Sequence, residues 1–226
     1  MATYDLEQQE QIEQAKHFWK KYGNMITWTL VIVLGAYAAW TGWLFWQNQQ
    51  AGKAAELYEQ LDMAVMEGKA DKITRVFGDL KERHPGTTFA QQGALLTAKA
   101  LFDQGKAEPA RASLQWLIDN GKNPDLVAVA RLRQAALLMD DKKFDDALKL
   151  LDGEMPEEFE ALAQDRRGDI YMAQSRKDDA LKAYQAAWKA MDPSVEYRRF
   201  IEGKLTSLGS PIGPAADLAA PPAPQP

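Results

Sequence analysis

Cysteine is absent from this 226-residue chain, and histidine occurs twice. The first absence removes disulfides, thiolate metal sites and a cysteine nucleophile, and leaves the cellular compartment open. His17 and His84 fall on opposite sides of a long apolar run, so they form no metal pair, and His84, next to Pro85, reads as a solvated turn residue. No Gly-rich phosphate loop, His-Glu-x-x-His helix or Gly-x-Ser-x-Gly elbow occurs. Basic excess is lacking too. A net charge of −5 argues against a general nucleic-acid binder, which needs a cationic face. Acidic residues such as Asp140, Asp141, Asp145, Asp146, Asp178 and Asp179 crowd at turns and first helical turns, where they read as caps and dipole partners. No enzyme activity, cofactor or metal is expected.

From Tyr22 to Gly52 there is no charged residue and no histidine. Within this stretch Met25 to Trp46 gives 22 residues, roughly 33 Å of helix, enough for the ~30 Å hydrocarbon layer. Trp19 and Tyr22 before it and Trp40, Trp43 and Trp46 at its exit form interfacial belts. A cleaved signal peptide competes, with Gly52-Lys53-Ala54 near a cut. Against it, the apolar run is longer than the ~7–15 residues of a signal core, holds four Trp and follows a long charged leader. Lys16, Lys20 and Lys21 precede the span, whereas Lys53 is the one basic residue after it until Lys69, so the N-terminus is expected inside and the bulk outside. Gly35, Ala38, Ala39 and Gly42 recur at three- and four-residue steps, a smooth face open to a second helix, or a plain anchor. The leader, residues 1–24, reads as a helix with Thr3 as cap, Asp5 and Glu7 in its first turn, and a stripe of Ile12, Ala15, Trp19 and Tyr22. That stripe suits the cytoplasmic membrane surface, or the leader is a solvated helix running into the span.

Strand signals are scarce after Lys53, and Ala, Leu, Gln, Lys, Glu and Asp dominate, so the rest is expected to be helical. Its chief feature is self-similarity. Ala98 and Ala110, Ala135 and Ala147, and Gly168 and Ala180 are small pairs, each twelve residues apart. Three residues after the first member stand Leu101, Leu138 and Tyr171, and sixteen after it Leu114, Leu151 and Tyr184. Small residues there let the two helices of a hairpin touch, and the larger ones fill the space between hairpins. Turns fall between, at Gln104-Gly105-Lys106, Asp140 to Lys143, and Ser175 to Asp178, while Pro124, Pro156 and Pro193 close the units. The 37- and 33-residue steps from Ala110 to Ala147 to Ala180 bracket a tetratricopeptide repeat of about 34 residues.

An earlier hairpin around Gly68 fits loosely, with Leu61 and Ile73 replacing the small pair, and is expected to pack more openly. Val195 to Leu208 supplies a terminal helix that caps the array. Residues 209–226 hold six of the eleven prolines and read as a disordered tail. Arg166, Arg167 and Asp169 around Gly168 form an ion-pair ladder between repeats or line a groove for a peptide carboxylate. The fold class is therefore all-α: one N-terminal transmembrane helix (25–46), then a tetratricopeptide-like helical-repeat solenoid (53–208).

This layout resembles the YfgM family, ancillary subunits of the bacterial SecYEG translocon. The resemblance rests most on Ala161 to Pro193, where small Gly168 and acidic Asp169 follow Arg167 and a lysine-bearing turn precedes Ala180. It extends to the leader, where Ala15-Lys16-His17-Phe18 runs into Lys20 and Lys21. It covers about Asp5 to Leu208, and the proline-rich tail departs from it. The resemblance implies an inner-membrane protein with a periplasmic repeat domain, associated with SecYEG and a PpiD-like membrane-anchored chaperone, that helps newly translocated, unfolded secreted proteins reach periplasmic chaperones. It carries over no catalytic residue. Two other readings stay open: an envelope stress regulator whose leader binds a cytosolic signalling factor, and an envelope-assembly repeat protein.

Overall fold

The computed structural model describes residues 3–210 and Ile212, with the side chains of residues 3–10 and Ala15 outside that description. The expected Thr3 cap and nearly all of the expected tail therefore lie outside the described residues. Two compact units divide between Gly52 and Lys53.

The first unit is helical. α1, Thr3–Met66, begins in the leader and takes in the whole apolar segment. It is long and apolar enough to cross a membrane. Trp19 lies over Gly23, where an added Cβ would come within 3.1 Å of the indole. Gly35 and Gly42 have open space around them.

The second unit takes its first helix from the end of α1 and continues with α2 (Ala70–Arg83), α3 (Thr88–Asp103), α4 (Ala107–Asn120), α5 (Pro124–Asp140), α6 (Phe144–Leu151), α7 (Glu157–Ala173), α8 (Lys177–Ala190) and α9 (Arg198–Ser207). Successive helices pack as hairpins, α3 with α4, α5 with α6 and α7 with α8, and α5 also packs on α3 and α7. No strand occurs among the described residues.

One turn is used repeatedly. After the first helix of each hairpin a single residue takes the left-handed conformation: Gly68 (φ 68°), Gly105 (74°), Lys142 (63°) and Ser175 (62°), at steps of 37, 37 and 33 residues. Its N–H and the next one return to carbonyls of the last turn, as in Gly105 N to Phe102 O and Lys106 N to Leu101 O, both 2.8 Å. That pairing satisfies the carbonyls a helix end leaves open. Gly209 (φ 79°) ends α9 in the same way.

Three clusters form the core. The largest joins the end of α1 to α2, α3, α4 and α5 through Leu61, Ile73, Leu80, Leu101, Leu114, Leu117 and Leu137. A smaller one links α5, α6 and α7 through Ala135, Ala147, Leu151 and Ile170. The last joins α7, α8 and α9 through Ala161, Ala180, Tyr184, Ala187, Ile201 and Leu205.

The first hairpin packs more openly than the others, as expected: the end of α1 and α2 do not approach as closely as α3 and α4, α5 and α6, or α7 and α8. Leu61 and Ile73 fill the space between them and are fully buried, and Gly93 on α3 makes room for Leu80 and Leu61, which a Cβ there would meet at 2.8 and 3.2 Å. Pro124 and Pro156 open helices rather than close them: Pro124 is the first residue of α5, and Pro156 immediately precedes α7. The terminal helix starts at Arg198, three residues later than expected. Pro193 and the two hydrogen bonds that Ser194 gives Asp192 Oδ1 (2.7 and 2.6 Å) hold the preceding stretch in turns.

Candidate functional site

A groove of about 360 Å³ runs between α3 and α5. Ala98 and Phe102 of α3, Ala136 and Leu137 of α5, and Leu114 of α4 make it apolar. Lys99, Arg133 and Asp140 give it a charged rim. Its walls follow from the repeat: small residues along two adjacent helices leave a trough, and Phe102, the last large side chain before the Gln104-Gly105 turn, stands 45% exposed beside it. Arg133 is fixed by donating to the Leu95 carbonyl at 3.3 Å, and Lys99 pairs with Asp103 at 2.6 Å. Such a trough offers apolar contact to an extended or helical segment and a charge of either sign at its edge.

The trough is held open by ties between neighbouring hairpins. Arg111 of α4 pairs with Asp141 after α5, and that guanidinium holds the Asp141 carboxyl below the usual carboxylate range. Gln91, buried in α3, accepts from the backbone N–H groups of Lys122 and Asn123 at 2.8 and 2.9 Å, fixing the connection into α5.

A second polar constellation lies where α7, α8 and α9 meet. Asp165 is 2% exposed and accepts from Lys204 Nζ at 2.7 Å and Tyr197 Oη at 2.8 Å. Asp169, one turn on, accepts from the same Lys204 Nζ at 2.7 Å and from Tyr184 Oη at 2.8 Å. One ammonium thus bridges two carboxylates and ties the terminal helix to α7. Burial, and then donation to Asp165, pushes the Tyr197 hydroxyl up to about 12; burial and the bond to Asp169 raise Tyr184 as well. Both phenols stay protonated and act as donors.

Arg166, Arg167 and Asp169 do not converge. Arg166 reaches Asp169 at 3.6 Å on its own helix. Arg167 turns the other way, to the Leu151 carbonyl at 2.8 Å, Asp152 at 3.3 Å and Glu160 at 3.5 Å. Asp169 faces Lys204. The small residues Ala98, Ala110, Ala135, Ala147, Gly168 and Ala180 are all buried, and Gly168 lies against the Tyr184 ring. Gly35, Ala38, Ala39 and Gly42 are exposed on α1. His84 is 9% exposed rather than solvated, because it caps α2 and is packed under the turn that leads into α3.

Phe102, Arg133, Asp165 and Lys204 were not legible as site residues. A signal existed for one of them: Asp165 sits four residues after Ala161 and three before Gly168, a carboxylate at a core position of an apolar stripe.

The tetratricopeptide repeat-like domain family matches residues 16–210. Two similar proteins are each described as an ancillary SecYEG translocon subunit. One, from Neisseria gonorrhoeae, is 30% identical over 212 residues, covering 92% of this chain and 100% of that protein. The other, from Escherichia coli, is 30% identical over 208 residues, covering 92% of this chain and 99% of that one. Among solved structures, a chain described as MamA RS-1 ArsTM double mutant aligns with TM-score 0.47 and 17% identity, over 70% of this chain and 89% of that one.

Proposed function

The chain belongs to the tetratricopeptide repeat-like family of ancillary SecYEG translocon subunits, and from that membership we propose that it serves as a non-enzymatic, membrane-anchored adaptor of the translocon. In this reading residues 1–24 lie in the cytoplasm, 25–46 cross the inner membrane once, 53–208 form the periplasmic repeat domain, and 209–226 extend from it. The lysine bias around the apolar segment supports that orientation. The six small residues of the hairpins serve as packing points, and Gly35, Ala38, Ala39 and Gly42 as a smooth face within the bilayer. Arg167 and Asp169 act as ties to neighbouring elements, and Arg166 braces Asp169 on α7, rather than forming a carboxylate groove.

The observation that carries the adaptor role is the apolar trough between α3 and α5 with exposed Phe102 at its edge. It suits apolar segments of newly translocated, unfolded proteins, or a helix of a PpiD-like membrane-anchored chaperone that receives them. Burial of one such side chain is worth roughly 1.5–3 kcal/mol, weak enough for release.

A photo-crosslinker placed at Phe102 in intact cells tests this. Capture of translocon subunits, an anchored periplasmic chaperone or exported chains is expected, with far less from Gln115 on α4. Equal capture from both positions counts against the trough, and capture of cytosolic proteins alone overturns the orientation.

A further inference from the structure

Hydrocarbon offers no hydrogen bonds, so every polar side chain on a spanning helix must find its partner within protein or reach an interface. Three threonines of the apolar segment satisfy this on their own helix. Thr27 donates to the Gly23 carbonyl at 2.8 Å, Thr29 to Met25 at 2.8 Å, and Thr41 to Tyr37 at 3.0 Å. Tyr37 does not. Its side chain is exposed, and its hydroxyl makes no hydrogen bond among the described residues.

Position makes this costly. Tyr37 stands between one and two residues past the midpoint of Met25–Trp46, about 2 Å along the axis. A long helical side chain leans toward the N-terminus, which here carries the phenol toward the midplane rather than out to water. The indoles of Trp28, Trp40, Trp43 and Trp46 all start nearer the ends, where an aromatic reaches the interface. The rigid ring also holds its hydroxyl away from the carbonyls of its own turn, so a change of rotamer does not solve the problem as it does for threonine.

The residues around it set a direction. Leu30, Leu34, Tyr37, Thr41 and Leu44 follow alternating steps of four, three, four and three residues, the spacing of a left-handed helix-pair seam, with Tyr37 at its centre. This seam is turned by roughly 130° from the stripe of Gly35, Ala38, Ala39 and Gly42.

We propose that α1 docks through this seam on a transmembrane helix of a translocon subunit that presents a hydrogen-bond acceptor near the bilayer midplane, and that Tyr37 donates to it. The acceptor is a side-chain amide or hydroxyl, or a carbonyl freed where the partner helix is broken by proline or glycine. The inference rests on the translocon reading above and adds the depth, the face and the chemistry of the contact.

The test uses the full-length chain in native membranes, comparing the unsubstituted protein with Tyr37→Phe, which keeps shape and apolarity and so still inserts. Translocon recovered in mild detergent is expected to fall about three- to tenfold for Tyr37→Phe. A photo-crosslinker at Leu34 is expected to reach a translocon subunit, and one at Ala39 much less. Full recovery with Tyr37→Phe overturns the proposal while leaving the translocon reading intact. Crosslinks from Leu34 to a second copy of this chain, or stronger translocon crosslinks from Ala39, overturn it as well. Failure of the unsubstituted chain to recover any translocon takes down both.

Discussion

Gly168 and Tyr184 are packed so closely that a single added carbon at Gly168 would sit on the tyrosine ring, and the ring is itself held by the bond from its hydroxyl to Asp169. Because neither partner has room to yield, Gly168→Leu is expected to destabilise the repeat domain by about 2 kcal/mol, overpacking outweighing the gain in helix propensity. Thermal unfolding of the detergent-solubilised chain measures it. An unchanged midpoint would count against the packing register.

The repeated turn makes a prediction of opposite sign. Lys142 and Ser175 adopt the left-handed conformation that Gly68 and Gly105 adopt without a Cβ. Lys142→Gly and Ser175→Gly are each expected to stabilise by about 1 kcal/mol, and the pair to add. Urea midpoints of the two single variants and the double variant decide this. A loss of stability would mean the side chains contribute more than the backbone conformation costs.

Lys204 neutralises two carboxylates, one of them almost fully buried. Lys204→Met is expected to cost about 2 kcal/mol, less than the roughly 3–5 of a wholly buried pair because Lys204 is itself partly exposed. Hydrogen exchange should quicken first in Arg198–Ser207. Protection spread evenly over the domain would argue that α9 is held by Ile201 and Leu205 alone.

His84 gives a pH dependence. Burial first, then the positive charges of Lys53 and Arg83, lower its value below the ordinary 6.5. The unfolded chain therefore takes up a proton before the folded one does. The stability from a neutral, packed His84 is complete above about pH 6.5 and is lost as pH falls through the lower folded value. Denaturation midpoints between pH 7.5 and 5 should fall with pH in the natural chain and flatten in His84→Gln. A parallel decline in both would place the dependence elsewhere.

How much was legible depended on the range of the interaction. The hairpin register came from local spacing, because small residues and turns recur along the chain itself; Gly68 and Gly105 advertise their conformation. Lys142 and Ser175 hide the same conformation, since nothing in their side chains requires it. Val195 fits a helical stripe and so predicts an earlier start for α9, while the hydrogen bonds of Ser194 to Asp192 compete locally with helix. Least visible was the bridge from Lys204 to Asp165, 39 residues apart, which exists once α7 and α9 are side by side. The trough had no motif at all, being space left between helices rather than a pattern of residues.

α6 has eight residues where α4 and α8 have fourteen, and it buries Ala147 and Leu151 beneath it. It therefore has the smallest store of burial to resist opening, between a large cluster on the Leu61 side and another around Tyr184. In mechanical terms the domain carries a weak link in its middle, and a load along the array would loosen this helix before either end gave way.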